Sequence, residues 1–329
     1  MTPFRRRAAL FAGALLSTTL ALTACGSSSS GTPQSSSEMR SFTADNGTVH
    51  IPVHPKRIVT VGSANLFLEM GVKPVGMTPV TGSSNLAWLS AEEKANQDAA
   101  ADIGAYPNIS YEKIAALKPD LIVVNVPDFA WKKSYNRDRL ASIAPTVYIE
   151  IDNTKWKTQG ARVADAVDEH GAFNEDKAAY DRLTAEIKTK YRSLLGSTTF
   201  AVVDRYTTTD EGSFNREYGA WYCSGYAGDA GLNIVGGQTA KGTKIDNETV
   251  SMERLGDLAK VDAILYPLTP DGKTKREFET VVESNAWKSL PEVSAGRALG
   301  VKCATTLTYP SKITSLESLE QGLSKLAGK

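Results

Sequence analysis

The 329 residues carry 41% hydrophobic side chains, enough to bury the core of one large domain or of two ordinary ones. Lysine and arginine number 37, as do aspartate and glutamate, and no basic tract argues for nucleic acid. Three histidines and three cysteines, scattered along the chain, lack the clustering that capture of a free metal ion would need.

The chain opens with the features of an export leader. Arg5, Arg6 and Arg7 form a basic start, and Ala8 to Ala21 form an apolar run, short for a membrane span, which needs ~20 residues. Leu22-Thr23-Ala24-Cys25-Gly26 follows and resembles the lipobox of bacterial lipoproteins. That resemblance implies a signal peptide over residues 1–24, cleavage before Cys25 and lipidation of its thiol, by either the general or the twin-arginine export route. Loss of the leader leaves 34 basic side chains against 37 acidic ones, a net charge of about −3. The serine-rich stretch behind Cys25 cannot bury enough surface to offset its ordering entropy, so residues 25–40 read as a flexible tether with a reach of about 20 Å.

Arg57 to Gly62 reads as a buried strand, with Ser63 placed to cap a helix over Ala64–Met70 and Gly71 placed to end it. Lys73 to Met77 is the next strand, followed by an irregular segment containing Trp88. Ser110 caps another helix, and Leu121–Val126 and Thr146–Ile151 are further strands. Helices are expected near Thr158–His170 and Glu175–Leu195, the second about 30 Å long. The pattern then starts again with strand Phe200–Asp204, a helix at Ser251, strands Ala263–Tyr266 and Leu299–Cys303, and a terminal helix near Ser315–Leu326. Such alternation predicts an α/β chain with parallel sheets covered by helices.

Two segments repeat in the same order in both halves. Gly71-Val72-Lys73-Pro74-Val75-Gly76 matches Gly231-Leu232-Asn233-Ile234-Val235-Gly236. Ile109-Ser110-Tyr111-Glu112-Lys113-Ile114 matches Val250-Ser251-Met252-Glu253-Arg254-Leu255. The chain therefore reads as two similar lobes with one cleft between them. The first lobe carries 19 extra residues between its paired signals, and these include Trp88. Loops at the carboxyl ends of parallel strands are where α/β folds bind ligands. The serines place Glu112 and Glu253 at the second helical position, too early to reach back to their caps, so each carboxylate points outward.

Pro52-Val53-His54-Pro55-Lys56-Arg57-Ile58-Val59, the Gly71–Gly76 element and the run from Ser110 through Lys118-Pro119-Asp120 to Ile122 resemble the ferric-siderophore and cobalamin class of periplasmic binding proteins. The resemblance covers about Arg40 to Ala327. It implies two Rossmann-like lobes joined by one long interlobe helix, here residues 173–197, between an N-terminal lobe at 41–172 and a C-terminal lobe at 198–329. It also implies a monomeric receptor, not an enzyme, that hands its ligand to an ATP-binding-cassette importer, with Glu112 and Glu253 docking onto arginines of the two permease subunits.

Siderophore iron is already saturated by its chelator, so such a receptor needs no metal ligands or cofactor of its own. It needs cations and flat apolar faces. The richest stretch holds Arg205, Tyr206, Arg216, Tyr218, Trp221 and Tyr222, just after the first strand of the second lobe. Trp88, Trp131, Tyr135, Arg137 and Asn65 are the candidates in the first lobe. Cys223 and Cys303 form either one disulfide or two separate buried thiols. Cobalamin or haem remains open as cargo, since the tyrosine-rich loop could supply an axial ligand. An enzyme reading lacks its parts, because no G-x-G-x-x-G follows the first strand and no G-x-S-x-G elbow occurs.

Overall fold

The computed structural model describes residues 38–328, apart from 208–211, 238–241 and 243. The leader, Cys25 and the tether as far as residue 37 lie outside the described residues. The first element is a hairpin that the sequence reading overlooked. Strands β1 (Met39–Ala44) and β2 (Gly47–Pro52) pair antiparallel around Asp45-Asn46-Gly47. Gly47 adopts φ 103°, which glycine takes without steric cost. Met39 and Arg40, expected to belong to the tether, are therefore part of strand β1. Asn46 ties the hairpin to the lobe by donating to the Thr146 carbonyl at 2.9 Å and accepting from the Tyr148 amide at 3.0 Å.

The N-terminal lobe is built on β3 (Ile58–Gly62), β4 (Gly76–Met77) and β5 (Ala101–Asp102). A two-residue hairpin, β6 (Gly104–Ala105) and β7 (Asn108–Ile109), follows, and then come β8 (Leu121–Asn125) and β9 (Thr146–Tyr148). The sheet order is β5-β4-β3-β8-β9 and every pairing is parallel. All five residues of β8 are buried, as expected of a strand covered on both faces. Gly62 turns the chain out of β3 at φ 99°, and a Cβ there would lie 2.0 Å from the Asn125 carbonyl oxygen. This tight turn also corrects the reading of Ser63. Its hydroxyl donates to that same carbonyl at 3.4 Å and makes no cap for the helix Ala64–Glu69.

Helix Trp156–Val167 leads into the long helix His170–Lys190, which ends at Tyr191 before a short helix, Arg192–Ser197. The expected rod is thus present but starts earlier and breaks at Tyr191, whose φ and ψ of −107° and 19° leave the helical region. Tyr309 of the terminal helix Tyr309–Ala327 packs against Trp156, Phe173 and Tyr180 at centroid distances of 5.0, 5.2 and 5.3 Å. One hydrophobic core runs from Val123 in the first sheet through Tyr180 and Ile187 to Phe200 and Leu323. A continuous core of this kind resists large rearrangement of the lobes.

The C-terminal lobe comprises β10 (Thr199–Asp204), β11 (Ser213–Glu217), β12 (Asn233–Ile234), β13 (Asn247–Ser251), β14 (Ala263–Leu268) and β15 (Ala298–Lys302). Strands β12, β14 and β15 join β10 in a parallel arrangement like that of the first lobe. Beyond them β11 and β13 extend the sheet antiparallel, which the alternation of strands and helices did not indicate. The repeat helix after Ser251 is a 3-10 helix, Met252–Lys260, with Gly256 and Asp257 weakening any regular α-helix in its middle. Among the described residues no helix is long and apolar enough to cross a membrane.

Candidate functional site

A cleft of about 590 Å³ opens between the two lobes. Its N-terminal wall is Gly82, Asn85 and Trp88, all from the enlarged loop after β4. The opposite wall comes from strand ends of the C-terminal lobe: Tyr206 after β10, Trp221 and Tyr222 after β11, and Thr269, Lys275, Arg276 and Glu277 after β14. Cys303 and Thr305 follow β15 and complete it. The carboxyl ends of the parallel strands β4, β10, β14 and β15 thus converge on one space, as in other α/β folds, and the loop after the antiparallel β11 joins them there.

The aromatic side chains of this wall are arranged edge to face. Tyr222 meets Tyr206 at 5.7 Å and 76°, and Trp221 at 5.3 Å and 60°. The Trp221 Nε1–H donates to the Tyr206 hydroxyl at 2.7 Å. The Tyr222 hydroxyl accepts from Asn153 Nδ2 at 3.1 Å, and the Tyr222 carbonyl accepts from Lys312 Nζ at 2.9 Å. Lys312 is fully buried, which lowers its ammonium pKa to about 8, and it also donates to the Ala304 carbonyl at 2.7 Å. Behind the wall Cys223 is disulfide-bonded to Cys303, with Cα atoms 5.7 Å apart. Of the two readings left open for these thiols, the structure takes the bridge.

Two cations face the cleft, and the sequence reading named neither. Lys275 Nζ lies 2.8 Å from Asp204 Oδ1 and 5.4 Å from the Tyr206 ring centre. Asp204 is completely buried, and burial raises its pKa even though Lys275 pulls it down. Arg276 is exposed and lines the same opening, next to Glu277. Both cations follow β14, so the rule that ligands gather at strand carboxyl ends could have found them.

Several expected contacts lie elsewhere. Arg205 is 2% exposed and turns into the lobe, donating to the Ser213 carbonyl at 2.8 Å and to Thr280 Oγ1 at 2.5 Å. Tyr218 is buried and donates to Glu248 Oε1 at 2.6 Å, with the Arg216 guanidinium 5.5 Å from its ring centre. Neither Arg216 nor Tyr218 lines the cleft. Trp131 stacks on Tyr148 at 4.6 Å and, with Arg137, borders a separate hollow of about 650 Å³ beside the β1–β2 turn. Asn65 is half-buried on the helix after β3 and is not among the cleft-lining residues.

Tyr135 is buried too, but it supports something the sequence reading missed. Tyr106, 51% exposed, lies 6.4 Å from Tyr135 and 6.2 Å from Phe129, which is 57% exposed. Tyr106 sits in the turn of the β6–β7 hairpin and Phe129 on the short helix Asp128–Lys133 that follows β8.

Glu112 and Glu253 occupy matching places. Ser110 Oγ accepts from the Lys113 amide at 3.2 Å and Ser251 Oγ from the Glu253 amide at 3.3 Å. Both glutamates are exposed, and each leads through its helix into the strand beside its lobe's first strand, β8 or β14. They differ in partners. Glu112 forms an ion pair with Arg139; its own backbone amide and that guanidinium hold its carboxyl below the usual range. Among the described residues no ion pair is found for Glu253.

Among the described residues the cluster able to offer three metal-ligating atoms is Asp204, Cys223 and Cys303. Its two sulphurs are already joined to each other, so it supplies no thiolate.

The sequence pattern of the periplasmic binding protein family matches residues 59–299. The iron(3+)-hydroxamate-binding protein FhuD of Bacillus subtilis is 30% identical over 302 residues, covering 88% of this chain and 87% of that protein. The iron(3+)-hydroxamate-binding protein YxeB of the same organism is 28% identical over 291 residues, covering 84% of this chain and 81% of that one. Among solved structures, the siderophore periplasmic binding protein from the fuscachelin gene cluster of Thermobifida fusca superposes with a TM-score of 0.71 at 24% identity, over 84% of this chain and 98% of that one.

Proposed function

Because this chain belongs to the periplasmic binding protein family, we propose that it is a lipid-anchored receptor that captures a ferric siderophore and delivers it to an ATP-binding-cassette importer. In this reading Cys25 carries the lipid after the leader is removed, and the tether keeps the two-lobed body beside its membrane partner. The interlobe cleft supports the reading most directly. It presents aromatic faces from both lobes and two cations, and among the described residues the nearby grouping of Asp204, Cys223 and Cys303 has both its sulphurs locked in a disulfide. The iron then arrives inside its own chelator, and the protein grips the organic shell.

Trp88, Tyr206, Trp221 and Tyr222 serve as the flat contacts. Lys275 and Arg276 meet the chelator's oxygens. Lys275 is already paired with Asp204, and Glu277 stands beside Arg276, so the positive field is modest. That balance suits chelates of low net charge, such as ferric hydroxamates, better than a strongly anionic tris-catecholate. The names of the two Bacillus subtilis relatives point the same way. Glu112 and Glu253 are the docking carboxylates, each offered to one permease subunit.

Tryptophan fluorescence of the chain from Glu38 onward, titrated with ferric hydroxamates, ferric catecholates, cobalamin and haem, tests the cargo. Saturable quenching by a ferric hydroxamate at submicromolar concentration is expected. Tighter binding of cobalamin or haem than of every ferric siderophore would refute the assignment.

A further inference from the structure

Glu217 lies at the end of β11, fully buried and out of reach of any ligand in the cleft. Three donors converge on its carboxylate. Oε1 accepts from the Tyr206 hydroxyl at 2.6 Å, and Oε2 accepts from the backbone amides of Cys223 at 2.6 Å and Ser224 at 3.0 Å. Those amides belong to the first turn of the helix Tyr222–Asp229. Tyr206, while donating to Glu217, accepts from Trp221 Nε1. A single buried acceptor thus fixes the hydroxyl direction of one cleft tyrosine, the indole direction of the cleft tryptophan beyond it and the start of the helix that carries Tyr222.

We propose that Glu217 is a positioning residue, which sets the ligand-binding geometry of Tyr206 and Trp221 through the hydrogen-bond chain Glu217–Tyr206–Trp221. Only a carboxylate satisfies the arrangement, since both of its oxygens receive N–H or O–H groups and neither can donate. Burial, with Asp204 nearby, pushes the Glu217 pKa up to about 7, and the three donated hydrogen bonds pull it back toward the charged form. Lys312 supplies the compensating positive charge from the terminal helix, since Glu217 and Glu69 both favour its ammonium form.

The same inventory gives a substitution that separates positioning from support. In Glu217→Gln the side-chain carbonyl can still accept from the two helix amides. The amide nitrogen then faces Tyr206 and can only donate. The tyrosine must turn its hydroxyl away, and the bond from Trp221 is displaced. The helix cap survives while the aromatic chain loses its anchor.

Two readouts on the full-length protein test this. The first is the Trp221 emission component, taken as the difference between the protein and its Trp221→Phe form. It should shift to longer wavelength and lose anisotropy in Glu217→Gln and, to the same degree, in Tyr206→Phe. An unchanged component in either variant overturns the proposal, so Tyr206→Phe can still overturn it should Glu217→Gln fail to fold. The second is affinity for the Fe(III)–desferrioxamine B complex, which rests on the receptor reading above. Each single variant should bind about tenfold more weakly, and the double variant no more weakly than either. Losses that multiply in the double variant would show Glu217 acting apart from Tyr206 and would overturn the proposal. Should the native protein bind no ferric siderophore, the receptor reading fails, and the emission component still decides whether Glu217 positions the aromatic pair.

Discussion

The two walls of the cleft descend from one plan and have been finished in opposite ways. On the first lobe the wall is a loop inserted after β4, which presents Trp88 and then passes into a helix, Ala91–Ala99, with no buried residue. That helix starts with a capping box between Ser90 and Glu93, a local device that needs no support from the core. On the second lobe the wall is fastened from behind by a disulfide, a buried carboxylate and a buried ammonium, each joined to a different point of the aromatic group. Groups held rigidly before binding lose less entropy on binding, so the second wall should carry most of the affinity and the first should adapt to the cargo.

The strongest way to break this contrast is to remove the bridge behind the rigid wall. Cys223 and Cys303 lie 80 residues apart, and loss of such a crosslink costs about 2–5 kcal/mol of stability. Replacing both cysteines by serine should lower the denaturation midpoint by a corresponding amount and weaken ligand binding, as read by urea unfolding and by titration. A midpoint unchanged from the parent's would show that the wall does not depend on the bridge.

A comparison of the two tryptophans sharpens the contrast. Trp221→Ala should cost about 2–3 kcal/mol of binding energy, as a pre-organised aromatic anchor does, whereas Trp88→Ala should cost about 1 kcal/mol. Equal losses would mean that both walls are equally prepared before the ligand arrives.

The lobes also meet at a second carboxylate, on the half-buried residue Glu69. Glu69, at the end of the first helix, accepts from Thr308 Oγ1, from Ser311 Oγ at 2.8 Å and from the Ser311 amide at 3.2 Å, at the start of the terminal helix. Burial raises its pKa from 4.5 to about 7, and Glu93 adds to the rise. The folded protein therefore keeps this proton up to about pH 7, while the unfolded chain releases it near 4.5. The stability contributed by the neutral acid is complete below about 4.5 and fades as the pH climbs to 7, by on the order of 3 kcal/mol. Glu69→Gln imitates the neutral form, so its stability relative to the parent should be greater at pH 8 than at pH 5. Parallel pH curves for the two proteins would mean that Glu69 has no raised pKa.

How far the fold could be read from the chain followed the same division between local and distant causes. The duplicated plan was legible because its marks are local: glycine turns, serine caps and apolar runs. Asn46-Gly47 offered an equally local hairpin signal that went unread. Strands β11 and β13 gave almost no signal, since each buries little more than the facing pair Phe214 and Val250 within otherwise polar sequence. In the cleft, Trp88, Tyr206, Trp221 and Tyr222 were found because aromatic residues after strand ends stand out. Arg205 was misplaced because position along a chain does not say which way a side chain turns. Glu217 was invisible for a related reason, since a glutamate in a polar strand reads as exposed until its three donors are seen in space.

The smallest effect concerns Glu112 and Glu253, the carboxylates proposed to dock, where the lobes again differ. Glu112 begins with a partner in Arg139, whereas no ion pair is found for Glu253 among the described residues. A permease arginine meeting Glu112 must compete with Arg139; one meeting Glu253 need not. Rim ion pairs are worth ~0.2–1 kcal/mol each and act mainly on orientation and association rate. Glu253→Lys should therefore slow importer-dependent uptake more than Glu112→Lys does, and Arg139→Ala should speed docking slightly by freeing Glu112. None of the three should change affinity for the ligand in solution. Raising salt should shrink all the differences together, because exposed charges are screened over about 8 Å at physiological ionic strength. Uptake rates of the single variants measured across a salt series read this directly. Equal slowing by the two reversals would show that the Arg139 pair already opens when the protein docks, and undiminished uptake in the double reversal would remove both carboxylates from the interface.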